Sequence, residues 1–193
     1  MLSLIVGTLL YVNYLYYKLP RFFSNLDGLQ KNGLALLIVI LTFYVLIKIA
    51  FRIDSEFDQY LLFGMYLFVL FVGLVRIDRE FSVDSTIELN PFGFISDISV
   101  NPMSIQVLVA NLCIFLPMYF ILTHANIFKS FLAKFLFFEA FSILVEVLQY
   151  VLRVGIFDVA DILLYNISYF AGCFIYIYFH VIFRGNNKIF KVQ

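Results

Sequence analysis

Residues 131–152 read FLAKFLFFEAFSILVEVLQYVL. About 20 predominantly apolar residues cross a bilayer as a helix, and this run is long enough to do so. Inside it stand Glu139, Ser142, Glu146 and Gln149, and Arg153 follows directly after its end. Their spacings alternate three and four. On a helix they therefore share one stripe, while Phe, Leu, Val and Ile cover the other faces. A carboxylate at the centre of a spanning helix costs about 2.5–3.5 kcal/mol on insertion scales, so it turns towards a bundle interior or water. The stripe predicts a buried polar seam that opens near Arg153. Such a seam either joins helices by hydrogen bonds or lines a cavity that receives a ligand.

Five further apolar runs surround this one, at 2–17, 34–51, 59–75, 105–122 and 162–183. Together they predict an all-α fold, a polytopic membrane bundle of six transmembrane helices. Composition points the same way: 63% of residues are hydrophobic, against about 45–50% in a soluble domain. Only 13% are charged, so a water-soluble domain would have to expose large apolar patches. A disordered chain, a disulfide scaffold and a nucleic-acid binder are excluded on the same grounds. The 13 basic and 13 acidic residues cancel, so net charge indicates no partner. Cys113 and Cys173 fall in apolar runs and lack zinc-ligand spacing. They read as buried thiols, and neither a metal nor a cofactor is expected.

The first run has no basic residue before it and ends in Tyr14, Tyr16, Tyr17 and Lys18. That ending is an interface belt, so the run reads as a retained span and not a signal peptide. Lys48, near the end of the second run, has the stem length to snorkel. Six spans put both termini on one side. That side carries seven Lys and Arg near span ends, against six on the other. The basic tail at 184–193 breaks this near-tie and puts both termini in the cytoplasm. The loops around Asn90 and Asp158 then face outward. No internal repeat is visible, and residues 1–193 read as a single membrane domain.

Other polar residues fit around the seam. Glu146 and Gln149 are one turn apart and within hydrogen-bonding reach. Arg153 is expected to pair with Asp158 or Asp161. Asp158 stands where the last helix begins, as an N-cap, and Asp161 is favoured by the helix dipole. Pro117 cannot donate to the carbonyl of Cys113, so the fourth span should kink and leave that carbonyl free. Asn111 lies in the same span and is expected to meet Glu146 and Gln149 across the bundle. The stretch 88–95 is too short to span and reads as an interfacial or re-entrant piece. His124 and His180 are single residues near span boundaries and read as interfacial.

The order of these pieces carries a resemblance. Asn90-Pro91-Phe92 comes in a loop, and Asn111-x-x-x-Phe115-x-Pro117 lies in a span. Glu146-x-x-Gln149 closes the next span, and Phe157-Asp158-x-x-Asp161 opens the last. The set resembles the VanZ-like family of bacterial membrane proteins, the teicoplanin-resistance accessory type. By the resemblance, residues 59–183 form the family core and residues 1–58 an added N-terminal helix pair. It marks Asn90, Asn111, Glu146, Gln149, Arg153, Asp158 and Asp161 as ligand-binding, and Pro91, Phe92, Phe115, Pro117, Phe157 and Gly172 as structural. There are departures. Tyr119 stands where the family usually has Gly. Tyr165 stands at a usual Asn, with Asn166 beside it as a substitute after a one-residue shift. Ser168 takes the place of the first of two usual glycines, and Gly172 keeps the second.

The family has no settled enzymatic activity. The resemblance implies a bacterial cell-membrane protein that protects the envelope from glycopeptide-type antibiotics. Its partners would be membrane lipids and a lipid-linked envelope precursor or amphiphilic antibiotic. Two other classes stay open. One is an intramembrane enzyme on a lipid head group, with Glu146 or Asp161 as acid or base. The chain nevertheless has no nucleophile–base pair and no His-Glu-x-x-His motif. The other is a small transporter with Glu139 and Glu146 as a proton relay.

Overall fold

In the computed structural model, residues 2–18, 29–75, 86–95 and 103–189 are described. They are all-α apart from one two-residue bridge. The chain divides into two compact units, Met1–Asp84 with Val151–Gly155, and Ser85–Tyr150 with Ile156–Gln193.

The first unit holds α1 (Leu2–Leu10), a π-helical turn (Tyr11–Leu15), α2 (Tyr16–Lys18), α3 (Leu29–Ala50) and α4 (Glu56–Val75). Gly7 lets α1 approach α3 closely, because a Cβ there would stand 3.1 Å from the Cα of Ile40. At the π turn, the buried Tyr11 donates its hydroxyl to Asn32 Oδ1 at 2.7 Å. The end of α3 is closed by a left-handed residue. Arg52 has φ 57°, its N–H bonds the Ile49 carbonyl, and the Ile53 N–H bonds the Lys48 carbonyl. That pair of bonds is a Schellman cap. Lys48 reaches across this corner. Its ammonium is hydrogen-bonded to the buried Asp58 and lies over the Tyr44 ring, 5.2 Å from its centre. Asp58 also accepts from the N–H and hydroxyl of Ser55, so the α3–α4 corner satisfies a polar group that lipid could not.

The second unit holds β1 (Ile87–Glu88), α5 (Met103–Ile114), α6 (Met118–His124), α7 (Phe131–Val151), β2 (Phe157–Asp158) and α8 (Val159–Ile189). Its core is aromatic. Phe115 packs edge-on to Phe138 at 5.3 Å and against Tyr165 at 4.8 Å. Phe138 stacks on Tyr169 at 4.3 Å. Each of these four side chains is at most 1% exposed.

The six apolar runs coincide with helical segments, but their length and polarity differ. Among the described residues, Asn32–Ala50, Glu56–Val75 and Val159–Tyr178 are long and apolar enough to cross a membrane. The fourth run is broken into two helices at residues 115–117. The fifth run, α7, has the length but carries Lys134, Glu139 and Glu146.

The break at Pro117 comes as the missing N–H requires, yet it leaves no free carbonyl at Cys113. The chain tightens there, and the Leu116 N–H takes the Cys113 carbonyl at 3.3 Å. Pro117 then caps α6, with the Ile121 N–H on its own carbonyl at 3.0 Å. The break presents the Leu116 carbonyl to Gly172 of α8, so closely that a Cβ on residue 172 would overlap that oxygen. Position 172 has room for glycine alone, because two backbones approach closely there.

Candidate functional site

The site begins with the bridge. β1 and β2 pair in parallel, Ile87 opposite Phe157 and Glu88 opposite Asp158. The Phe157 N–H bonds the Thr86 carbonyl at 3.1 Å. Two loops that are 70 residues apart in sequence are thereby fixed side by side. One continues into Asn90-Pro91-Phe92. Asn90 Oδ1 accepts from the Phe92 N–H at 3.1 Å, an Asx turn that sets the direction of the loop. Leu89, Phe92 and Ile95 remain exposed at 68%, 60% and 59%. This apolar edge fits the interfacial reading of the stretch.

The other loop delivers Asp158 to the start of α8. Its Oδ1 accepts from the Ala160 N–H at 2.7 Å, which is an N-cap bond. Its own N–H donates to Glu146 Oε2 at 3.3 Å. Glu146 sits on α7 and is 0% exposed. The Tyr165 hydroxyl and the carboxylates of Asp161 and Asp158 are its electrostatic neighbours. One turn into α8, Asp161 Oδ1 accepts from Asn111 Nδ2 at 2.6 Å. Asn111 is 7% exposed, so the burial that makes it seek a partner is real. Asn111 thus joins α5 to α8, while Glu146 joins α7 to the start of α8.

Four of the sequence candidates, Asn111, Glu146, Asp158 and Asp161, form one cluster. The pairing inside it differs from expectation: Asn111 meets Asp161, and Glu146 meets the backbone of Asp158. Spacing on one helix placed Glu146 inside, but it carried no information on which end of α8 would arrive. The stripe on α7 is graded. Ser142 and Glu146 are fully buried, Glu139 and Gln149 are half-buried, and Arg153 is exposed. Arg153, which belongs to the first unit, takes the left-handed conformation, φ 55°. Asn166 does not stand in for the usual asparagine. It donates to the Ile162 carbonyl of its own helix at 3.1 Å, while Tyr165 fills the interior position at 1% exposure. Tyr119, at the other departure, packs against Tyr169 and Tyr176 at 5.9 and 5.5 Å. His124 stacks on Phe120; the side chain of His180 lies outside the described residues.

Chemically, the cluster is rich in acceptors. Three carboxylates gather, and the donors among them are the Asn111 amide on Asp161, the Asp158 N–H and the Tyr165 hydroxyl towards Glu146, and the Ala160 N–H on Asp158. Glu146 Oε1 is buried with no hydrogen-bond partner among the described residues. A buried acceptor left open costs about 1–3 kcal/mol, more when charged, so the site gains from a group that donates. Among the described residues no group of three His, Cys, Asp or Glu side chains is placed to hold a metal ion. Residues that the sequence did not single out include Thr86 and Ile87, whose contribution is made by backbone and leaves no side-chain signal.

A family profile described as VanZ/LLP1 matches residues 57–183, about two thirds of the chain. No curated protein and no solved structure matches the chain.

Proposed function

The chain belongs to the VanZ/LLP1 family, and from that premise we propose that it protects the cell envelope against glycopeptide-type antibiotics by binding an envelope lipid or amphiphile. The observation that carries the reading is Glu146: it is fully buried, and one carboxylate oxygen has no hydrogen-bond partner among the described residues. Beside it lie Asn111, Asp158 and Asp161, and the exposed apolar edge of Leu89, Phe92 and Ile95 belongs to the loop bridged to Asp158. An amphiphile satisfies both features at once. Its polar head donates to Glu146 Oε1, and its chain lies along the apolar edge. The head group would be rich in donors, an ammonium, hydroxyl or amide, because the cluster is rich in acceptors. In this reading the termini are cytoplasmic, and the bridged loops face the cell-wall side of the bacterial membrane.

Binding needs the shape and polarity of Glu146 but no proton transfer. Acid–base catalysis on a lipid head group, or a proton relay, needs the titrating carboxyl. The test is teicoplanin susceptibility of cells expressing wild type, Glu146→Gln and Glu146→Leu at equal levels, with co-purified lipid identified by mass spectrometry. Protection and bound amphiphile kept by Gln and lost by Leu support a binder. Loss in the Gln variant with the amphiphile still bound favours acid–base chemistry. Full protection by the Leu variant overturns the site.

A further inference from the structure

A second charged side chain is buried in the same unit, twelve residues before Glu146 on α7, or about 18 Å along the helix axis. Lys134 is 7% exposed. Its ammonium donates to Thr123 Oγ1 at 2.9 Å and lies over the Tyr119 ring, 5.2 Å from the centre. It makes no ion pair among the described residues. One hydroxyl and one ring face leave an ammonium with unspent donors and an uncompensated charge in a low-dielectric setting. A neighbouring hydroxyl is in the same condition. Tyr169 is 0% exposed, and its Oη has no hydrogen-bond partner among the described residues. The Tyr119 ring links the two: the ammonium lies over its face, and the Tyr169 ring packs edge-on to it at 5.9 Å, which brings the ammonium and the Tyr169 side chain to one region of the core. The surrounding rings of Phe135, Phe138 and Tyr119 keep that region apolar.

We propose that Lys134 and Tyr169 bind a phosphoryl oxyanion. An anion completes what both residues lack: a counter-charge for the ammonium and an acceptor for the hydroxyl. Phosphate fits the depth. Lys134 stands in the first turn of α7, about 5 Å along the axis from Phe131, and Phe131 and Leu132 are exposed beside it. A phospholipid head group reaches that level with its chains still in the bilayer. Inorganic phosphate carries the same chemistry, so the experiment separates the two sources. The site is independent of the acidic cluster and stands if that reading fails.

The purified full chain in detergent is offered phosphatidylglycerol and diacylglycerol with the same acyl chains, and retained lipid is counted by native mass spectrometry. Wild type is expected to favour phosphatidylglycerol by about tenfold, and Lys134→Met to show no preference. Tyr169→Phe removes one hydroxyl with no oxygen or nitrogen partner among the described residues, so it should nearly keep the thermal unfolding temperature and lower the preference by about threefold. If Lys134→Met does not fold, Tyr169→Phe alone decides. Displacement of the lipid by millimolar inorganic phosphate would overturn the lipid as occupant and keep the oxyanion site. Wild-type preference unchanged in Tyr169→Phe and in any folded Lys134→Met overturns the proposal.

Discussion

The side-chain amide of Asn111 donates to Asp161 Oδ1 at 2.6 Å, across 50 residues of sequence and between α5 and α8. A carboxylate that accepts an amide hydrogen bond in a largely buried setting depends on it. Asn111→Leu is expected to lower stability in detergent by about 1–3 kcal/mol, because Asp161 loses that donor while still desolvated. Asn111→Leu combined with Asp161→Leu should recover part of the loss, since no polar group is then stranded. Thermal or denaturant unfolding of the three variants measures this, and additive losses would count against the bond.

The contact of Gly172 with the Leu116 carbonyl predicts a sharp dependence on one methyl group. Gly172→Ala should cost about 1–3 kcal/mol, because backbone meets backbone and neither side yields as a flexible side chain would. Gly64 is the control. It lies inside α4 with open space where its Cβ would be, so Gly64→Ala should gain up to about 1 kcal/mol. Opposite signs in the same unfolding assay are the expected result.

At the end of α3 the left-handed Arg52 completes a Schellman cap. Left-handed backbone costs a non-glycine residue about 1–2 kcal/mol, and a β-branched one more. Arg52→Gly should therefore raise the unfolding temperature and Arg52→Val should lower it. Equal effects of the two substitutions would show that the backbone there is not held left-handed.

Lys48 and Asp58 form the ion pair of the α3–α4 corner. Lys48→Met should destabilise more than Lys48→Met with Asp58→Leu, since only the single variant leaves a buried carboxylate without its cation. A double variant as unstable as the single one would deny the coupling. Comparing unfolding midpoints of the two decides it.

The helical segments were legible from composition because lipid leaves few alternatives: an apolar run must satisfy its own backbone. Glu146 was legible as an interior residue for the same reason, and Pro117 as a break because it lacks an N–H. The partners were not. Asn111 has one amide, and several acids lay within its range; which one it meets depends on how α8 enters the unit. That entry is set by the bridge of Ile87 and Glu88 to Phe157 and Asp158, two residues on each side. A two-residue strand has no periodicity to read. Asn166 misled because adjacency in sequence is about 100° of rotation on a helix, which turns it from the interior to its own backbone.

The same bridge restricts how this part of the molecule can diversify. Glu88 and Asp158 are locked in register, and Asp158 is bound in turn to Glu146 and Ala160. An insertion of one residue on either side would shift the pairing and pull the carboxylates apart. Loop length is therefore not a free variable near the acids. New preferences would have to arise by exchanging exposed side chains such as Leu89, Phe92 and Ile95, which touch the surroundings without carrying the register. Within such a lineage, gaps should cluster away from residues 86–92 and 157–161, while apolar identity at those three positions drifts.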